Sequence, residues 1–312
     1  MRNTGAQATL RPMTFLQDQL HALLGHQVGK VHLRLSQTVA RTALGSWLLE
    51  DLRFDTGAEV IAAQLLRPAG GAATRPCPVV LYCHAHGNRY DTGCVELSQG
   101  RPALQGPYLP DLMQLGVGAL CLEMPCFGAR QQPPEGPRAK AGLWAGKPLF
   151  GQMLAELSAG LNWLETQDWV NAGRIGAMGI SMGGTHAWWL GALDPRLHAV
   201  ASLCCFADLE TLAQTGAHDG HGIYMTVPGL FPVARSGQIA GLTAPRAHLV
   251  CAGLDDWSTP DPALRKGLED LRTAYTRAPD MLETHIVPGL GHAESVGMRA
   301  AVLDFLRRRL CD

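Results

Sequence analysis

Six short apolar runs constrain this chain more than any other feature. They occupy residues 78–83, 118–123, 174–179, 199–206, 247–252 and 281–287. Each has the length of a strand, and the runs at 78–83 and 118–123 have the apolar composition of a buried one. Helical patterns lie between them. Met153, Leu157, Leu161 and Leu164 recur at spacings of four, four and three, which is one face of an amphipathic helix. Helices are also expected over 182–193, where Asp194-Pro195 stops the pattern, and over 262–278 and 293–309. Strands alternating with helices predict an α/β chain built on a mostly parallel sheet covered on both faces. Two further strand patterns, 47–54 and 59–66, flank the turn Asp55-Thr56-Gly57 and predict an antiparallel hairpin at one edge. Leu20, Leu23 and Leu24 form a short apolar stripe, so residues 1–45 read as a helical extension. No internal repeat or long linker interrupts residues 1–312, which read as a single domain.

Composition narrows the function classes. Of 312 residues, 46% are hydrophobic and 17% charged, as in a folded globular chain. The net charge of −1 lacks the basic excess expected of a nucleic-acid binder. The N-terminus has no apolar core of a signal peptide, and no run of about 18 apolar residues suggests a membrane span. The nine cysteines are scattered, without a CxxC pair, and read as small buried thiols. A cytoplasmic protein with neither nucleic-acid nor membrane partner is expected.

One apolar run leads into Gly179-Ile180-Ser181-Met182-Gly183, and a helical pattern leaves it. On a sharp strand-to-helix turn, a serine hydroxyl is lifted above the carboxyl edge of the sheet. Small residues two before and two after let neighbouring backbone pass. The pattern alone is weak: in so glycine-rich a chain it arises by chance roughly 0.1 times. Its place between strand and helix gives it weight.

A serine needs a base to take its proton and a carboxylate to orient that base. The order on such a sheet is serine, acid, histidine. After the run at 247–252 comes Gly253-Leu254-Asp255-Asp256-Trp257-Ser258-Thr259-Pro260, where Asp255 and Asp256 compete as the acid. Asp208, after the preceding strand, is a third choice. The last strand leads into Pro288-Gly289-Leu290-Gly291-His292. His292 is the histidine that follows the acid and sits in a post-strand loop, whereas His285 falls inside the strand pattern. One oxyanion donor should be the N–H of Met182, directly after the nucleophile. The second should come from the loop His84-Ala85-His86-Gly87-Asn88-Arg89-Tyr90.

These segments resemble the dienelactone hydrolase and acetyl-xylan-esterase-like branch of the α/β-hydrolases, from about residue 47 to the end. The matched segments are His86-Gly87-Asn88, the elbow at 179–183, Gly253 to Pro260, and Gly291-His292. The resemblance implies an α/β-hydrolase fold. In that branch the acid falls three residues after a glycine and four before a proline, which implies Asp256. The His-Gly-X segment implies the backbone of Asn88 as the second oxyanion donor. Dienelactone hydrolases proper use a cysteine nucleophile, whereas this chain has Ser181. That points to ordinary ester hydrolysis.

Residues 207–235 break the strand–helix rhythm and read as an irregular cap over the site. Its Tyr224, Met225, Val227, Leu230 and Phe231 are candidates for an apolar acyl or alcohol pocket, with His86 a further substrate contact. Residues 124–147, rich in Pro, Gly, Arg and Gln, read as a surface loop. Arg89 and Arg130 are loop cations able to pair with a substrate carboxylate. Trp188 and Trp189 read as core. His84 with His86, and His218 with His221, have ligand spacing but no third ligand beside them, so no metal is expected. No cofactor is required.

The expected activity is therefore carboxylesterase-type serine hydrolysis of a small-molecule ester through an acyl-enzyme. The alternatives are an acyl-peptide or amide hydrolase, or a non-catalytic ligand-binding member of the same fold. The sequence leaves open whether the chain forms a homodimer, and it names neither the acyl group nor the alcohol.

Overall fold

The computed structural model describes residues 15–26, 28–70 and 76–312. After α1 (Phe15–Leu24) come β1 (Arg34–Leu44), β2 (Trp47–Asp55) and β3 (Val60–Pro68). The chain continues through β4 (Cys77–Cys83), α2 (Glu96–Gln99), α3 (Leu109–Leu115), β5 (Gly118–Leu122), α4 (Glu135–Trp144) and α5 (Leu149–Glu165). Then follow β6 (Val170–Ile180), α6 (Met182–Leu193), β7 (Leu197–Leu203), α7 (Leu209–Thr215) and α8 (Ser236–Gly241). It closes with β8 (Ala247–Gly253), α9 (Asp261–Ala274), β9 (Leu282–Val287) and α10 (Val296–Leu306).

The nine strands among the described residues join one sheet in the order β1-β2-β3-β5-β4-β6-β7-β8-β9. The six strands from β5 to β9 are parallel, and β1, β2 and β3 form an antiparallel edge. The expected hairpin is therefore β2–β3. After β4 the chain crosses to one side to form β5, then returns past β4 to form β6. The crevice at the carboxyl ends of β4 and β6 is thus the point where the winding reverses, the usual place for a ligand on an open α/β sheet.

Alternate residues of β4 serve opposite faces. Val79, Leu81 and Cys83 join the core built with α1, α5, α6, α8 and α9. Val80 and Tyr82 join the other core, with α3 and α10. Helix α9 is amphipathic: Ala263, Leu264, Leu268 and Leu271 are buried, while Arg265, Lys266 and Glu269 lie away from the core. Trp188 and Trp189 are fully buried in α6, as core residues should be. No helix among the described residues is long and apolar enough to cross a membrane.

Three expectations need correction. Part of the helical extension, residues 1–14, lies outside the described residues. Of the remainder, α1 is helical but residues 34–44 form strand β1. That strand is exposed on both faces, so no apolar alternation marks it. Its ladder with β2 decides its conformation, and two bulges interrupt that ladder. The supposed loop 124–147 contains α4, which begins directly after Pro133-Pro134 and carries the helix formers Ala139, Lys140, Ala141 and Leu143. The cap at 207–235 is not wholly irregular either. It opens with α7, where the Asp208 side chain accepts the Thr211 N–H at 3.0 Å as an N-cap.

Three histidines are sealed inside: His84 at the end of β4, His186 in α6 and His248 in β8. Burial drives each imidazole down to about 3, so all three stay neutral in the folded chain. The unfolded chain protonates them near 6.5. Their contribution is therefore complete above pH 6.5 and is lost as pH falls toward 3. Each adds a slope of roughly 1.4 kcal/mol per pH unit within that window. His186 stacks on Phe150 with centroids 5.5 Å apart, and neither of its ring nitrogens has a protein partner. Urea unfolding of His186→Phe between pH 6 and 4 should show a slope lower by about one proton. An unchanged slope would mean that this ring titrates normally in the folded state.

Candidate active site

The turn from β6 to α6 places Ser181 at φ 56° and ψ −124°, a left-handed conformation that costs a non-glycine residue energy. Two features hold it there. The Ser181 N–H donates to the Leu203 carbonyl at 2.8 Å, and Thr185 N–H donates to the Ser181 carbonyl at 2.9 Å. The second feature is steric. A Cβ on Gly183 would fall inside the shell of the Cys83 carbonyl oxygen, and one on Gly179 would meet the same oxygen. Glycine at both positions lets the elbow press against the end of β4. As the first residue of α6, Met182 has an N–H with no acceptor within its own helix.

The loops after β8 and β9 complete the set. Leu254 N–H donates to the Val287 carbonyl and Asp255 N–H to the Leu290 carbonyl, each at 3.0 Å, so the two loops travel together. His292 Nδ1 lies 2.9 Å from Asp256 Oδ2 and 3.0 Å from Oδ1. Its Nε2 lies 3.0 Å from Ser181 Oγ. A carboxylate only accepts, so Nδ1 carries the proton and the Nε2 lone pair faces the serine hydroxyl. The structure thereby separates the two candidate aspartates. Asp256 is 2% exposed and in contact with His292, whereas Asp255 is exposed. Asp208 is spent as the α7 cap and as the partner of Arg235 at 2.5 Å. His285 stays in β9, opposite Cys251.

Ser258 escaped the sequence reading. Its Oγ donates to Asp256 Oδ1 at 2.7 Å, and its N–H donates to the same oxygen at 2.8 Å. Asp256 is therefore fixed from two sides before it meets the histidine.

The loop after β4 is built around His86. Its Nε2 donates to Glu135 Oε2 at 2.5 Å, and its Nδ1 accepts the Asn88 N–H at 3.1 Å. Thus the backbone donor expected from Asn88 is already engaged with a ring nitrogen. Glu135 is a second residue the sequence reading missed. It also accepts from Tyr90 Oη at 2.9 Å and from the Tyr224 N–H at 3.0 Å. Burial alone would raise its pKa, but these donors outweigh burial and hold the carboxyl below its usual range.

A cavity of about 580 Å³ lies within the cap segment. Met225 and Phe231 line it, together with Leu209, Leu212, Ile223 and Leu230. Tyr224 does not. It turns the other way and stacks on His86 with centroids 5.6 Å apart. His86 is itself 8% exposed and pinned, which leaves it little surface for substrate. His221, in the lining of this cavity, reaches the loop after β8, where its Nε2 donates to the Ser258 carbonyl at 3.0 Å. Trp257 stands between, with its ring 5.7 Å from His221 and 5.6 Å from His292.

The two loop arginines are already paired. Arg130 is 6% exposed and forms salt bridges to Glu156 at 2.6 Å and Glu59 at 2.5 Å. Arg89 bonds Asp91 at 3.0 Å. Among the described residues, no group of three or more His, Cys, Asp or Glu is arranged to hold a metal ion. All nine cysteines are free thiols.

Residues 135–265 match the sequence profile of the X-Pro dipeptidyl-peptidase (S15) family. That stretch contains Ser181 and Asp256 but ends before His292. "Putative hydrolase YtaP" of Bacillus subtilis (strain 168) is 34% identical over 267 residues, spanning 84% of this chain and 88% of YtaP. Among solved structures, a glucuronoyl esterase from Solibacter usitatus superposes with a TM-score of 0.68 at 17% identity, covering 94% of this chain and 91% of that one. An acetyl xylan esterase from Paenibacillus sp. R4 gives 0.63 at 20% identity, covering 94% and 93%. At these identities the two structures establish a shared fold.

The elbow geometry makes a direct demand on Gly183. Gly183→Ala should cost roughly 3 kcal/mol or more in urea unfolding, because the new methyl collides with backbone that cannot turn aside. An alanine variant as stable as wild type would mean that the approach to Cys83 is looser than described.

Proposed function

This chain belongs to the YtaP family of hydrolases and has the α/β-hydrolase fold, and from that premise we propose that it cleaves a carboxylic ester through an acyl-enzyme formed on Ser181. The reading is carried by one observation: Ser181 Oγ is 3.0 Å from His292 Nε2, while the opposite nitrogen of that ring is held by buried Asp256. In this reading Ser181 Oγ attacks the ester carbonyl as His292 Nε2 takes its proton. Asp256 orients the ring and stabilises the imidazolium. The N–H groups of Met182 and Asn88 receive the oxyanion. His292 then returns the proton to the departing alcohol. A water activated by the same nitrogen releases the acid.

The cavity in the cap supports a further proposal about the substrate. Its lining is mostly apolar, and one lining residue, His221, is bonded to the loop that carries Asp256. We place the apolar part of the ester there. A peptide-bond reading draws only on the S15 match.

Ser181→Ala should abolish turnover of p-nitrophenyl acetate and butyrate, and more than a few percent of residual activity would overturn the assignment. Asp256→Asn should lower kcat by roughly 10³–10⁴, far more than Asp255→Asn. The reverse order would move the acid to Asp255. In a substrate panel, kcat/KM should rise from acetate toward hexanoate by about fourfold per methylene, from roughly 0.8 kcal/mol each. Met225→Trp should flatten that rise. A flat wild-type series would empty the cavity of its role. Turnover of an X-Pro anilide faster than of any ester would favour the peptidase reading.

A further inference from the structure

Glu135 lies 49 residues from His86 in sequence, yet its carboxylate decides what that ring can do. An ionised carboxylate only accepts hydrogen bonds, so His86 Nε2 must carry a proton. The Asn88 N–H points at Nδ1, which must then be a bare lone pair. The two contacts coexist only in the neutral Nε2–H tautomer. The ring has no other freedom. Tyr224 stacks on its face at an interplanar angle of 24°, and the rings of Tyr90 and Phe127 meet it at 5.0 and 5.2 Å. Gly87 and Asn88 both take left-handed conformations, at φ 53° and 54°. Asparagine is among the few residues besides glycine that adopt this conformation readily.

We propose that Glu135 and His86 are positioning residues that aim the Asn88 N–H at the oxyanion site: Glu135 fixes the ring and its tautomer, and Nδ1 holds the donor in place. This rests on the ester-hydrolase reading above and assigns its second oxyanion donor a mechanism. At 3.1 Å an N–H bonded to a neutral ring nitrogen is weakly held. A carbonyl oxygen gaining a full negative charge competes for the same hydrogen much more strongly. The donor is thus aligned before the reaction without being locked away from it. Because Glu135 Oε1 also accepts the Tyr224 N–H, the same carboxylate ties this donor to the cap.

Two substitutions at His86 separate positioning from simple anchoring. In His86→Asn the amide oxygen sits where Nδ1 was, so it reaches the Asn88 N–H but not Glu135. In His86→Gln the amide reaches Glu135 but leaves nothing at the Nδ1 position. Both are assayed with p-nitrophenyl acetate, with rates expressed per Ser181 titrated to completion by a phosphonate, so that misfolded protein is not counted. The kcat of His86→Gln should fall roughly 30-fold or more, a large part of the 10²–10³ lost with a whole oxyanion donor. His86→Asn should fall by about tenfold less, and KM should move little in either. Affinity for a trifluoromethyl ketone should weaken in the same order, because its tetrahedral adduct carries the oxyanion. Glu135→Gln, which keeps an acceptor but loses the charge, should fall between wild type and His86→Gln.

A kcat for His86→Gln equal to or above that of His86→Asn would overturn the proposal and leave His86 an anchor for Glu135. So would losses confined to KM. Neither result touches the ester reading, which stands or falls on Ser181→Ala.

Discussion

The backbone contact between Gly183 and the carbonyl of Cys83 is the constraint on which the rest of the site depends. It joins two neighbouring parallel strands where each ends. β6 delivers Ser181, and β4 runs on into His84 and His86. Because no side chain intervenes at Gly179 or Gly183, Ser181 and the loop after β4 sit at one fixed separation. A strained serine persists only where its surroundings over-determine it. Here the hydrogen bond to Leu203, the start of α6 and the close approach to β4 do so together.

The other two functional loops reach the same place by topology. β8 and β9 are parallel to β6, so their carboxyl ends open on the same edge. Their loops are cross-bonded through Leu254 and Asp255, which sets where Asp256 meets His292. A buried carboxylate would be costly alone. Asp256 is satisfied by Ser258 N–H and Oγ–H and by His292, so its charge is distributed over three donors. Those donors also leave the carboxylate one orientation, which in turn leaves the imidazole one tautomer.

Local patterns were legible and long-range pairs were not. The apolar runs announced β4 to β8 because strands buried on both faces have no other composition, while β9, the half-buried edge strand, showed through a shorter apolar pattern. Ser181 and His292 were legible through chain order, since each follows a strand of one sheet, whereas chain order left Asp255 and Asp256 open and only the resemblance implied Asp256. Strand β1 stayed hidden because both its faces meet solvent. Helix α4 stayed hidden because the prolines before it and the charges within it resemble a loop. Glu135 could not be found: nothing near residue 135 signals a histidine 49 positions away. Ser258 was visible in the acid loop, but its bond to Asp256 is a feature of the turn and not of the pattern. The sequence also suggested free arginines at 89 and 130, and ion pairs with Asp91, Glu59 and Glu156 occupy both.

The cap gains its meaning from alternation over four residues. Between Gly222 and Met225 the chain is a short 3-10 turn, Ile223–Met225, that serves two faces. Ile223 and Met225 face the cavity, while the Tyr224 ring covers His86 and its N–H meets Glu135. One thin wall therefore separates the apolar space from the loop that carries Asn88. A single carboxylate, Glu135, bonds both that wall and the His86 ring. The sheet brings Ser181, Asp256 and His292 to one edge. The Glu135 carboxylate of α4 joins the cap to the loop after β4.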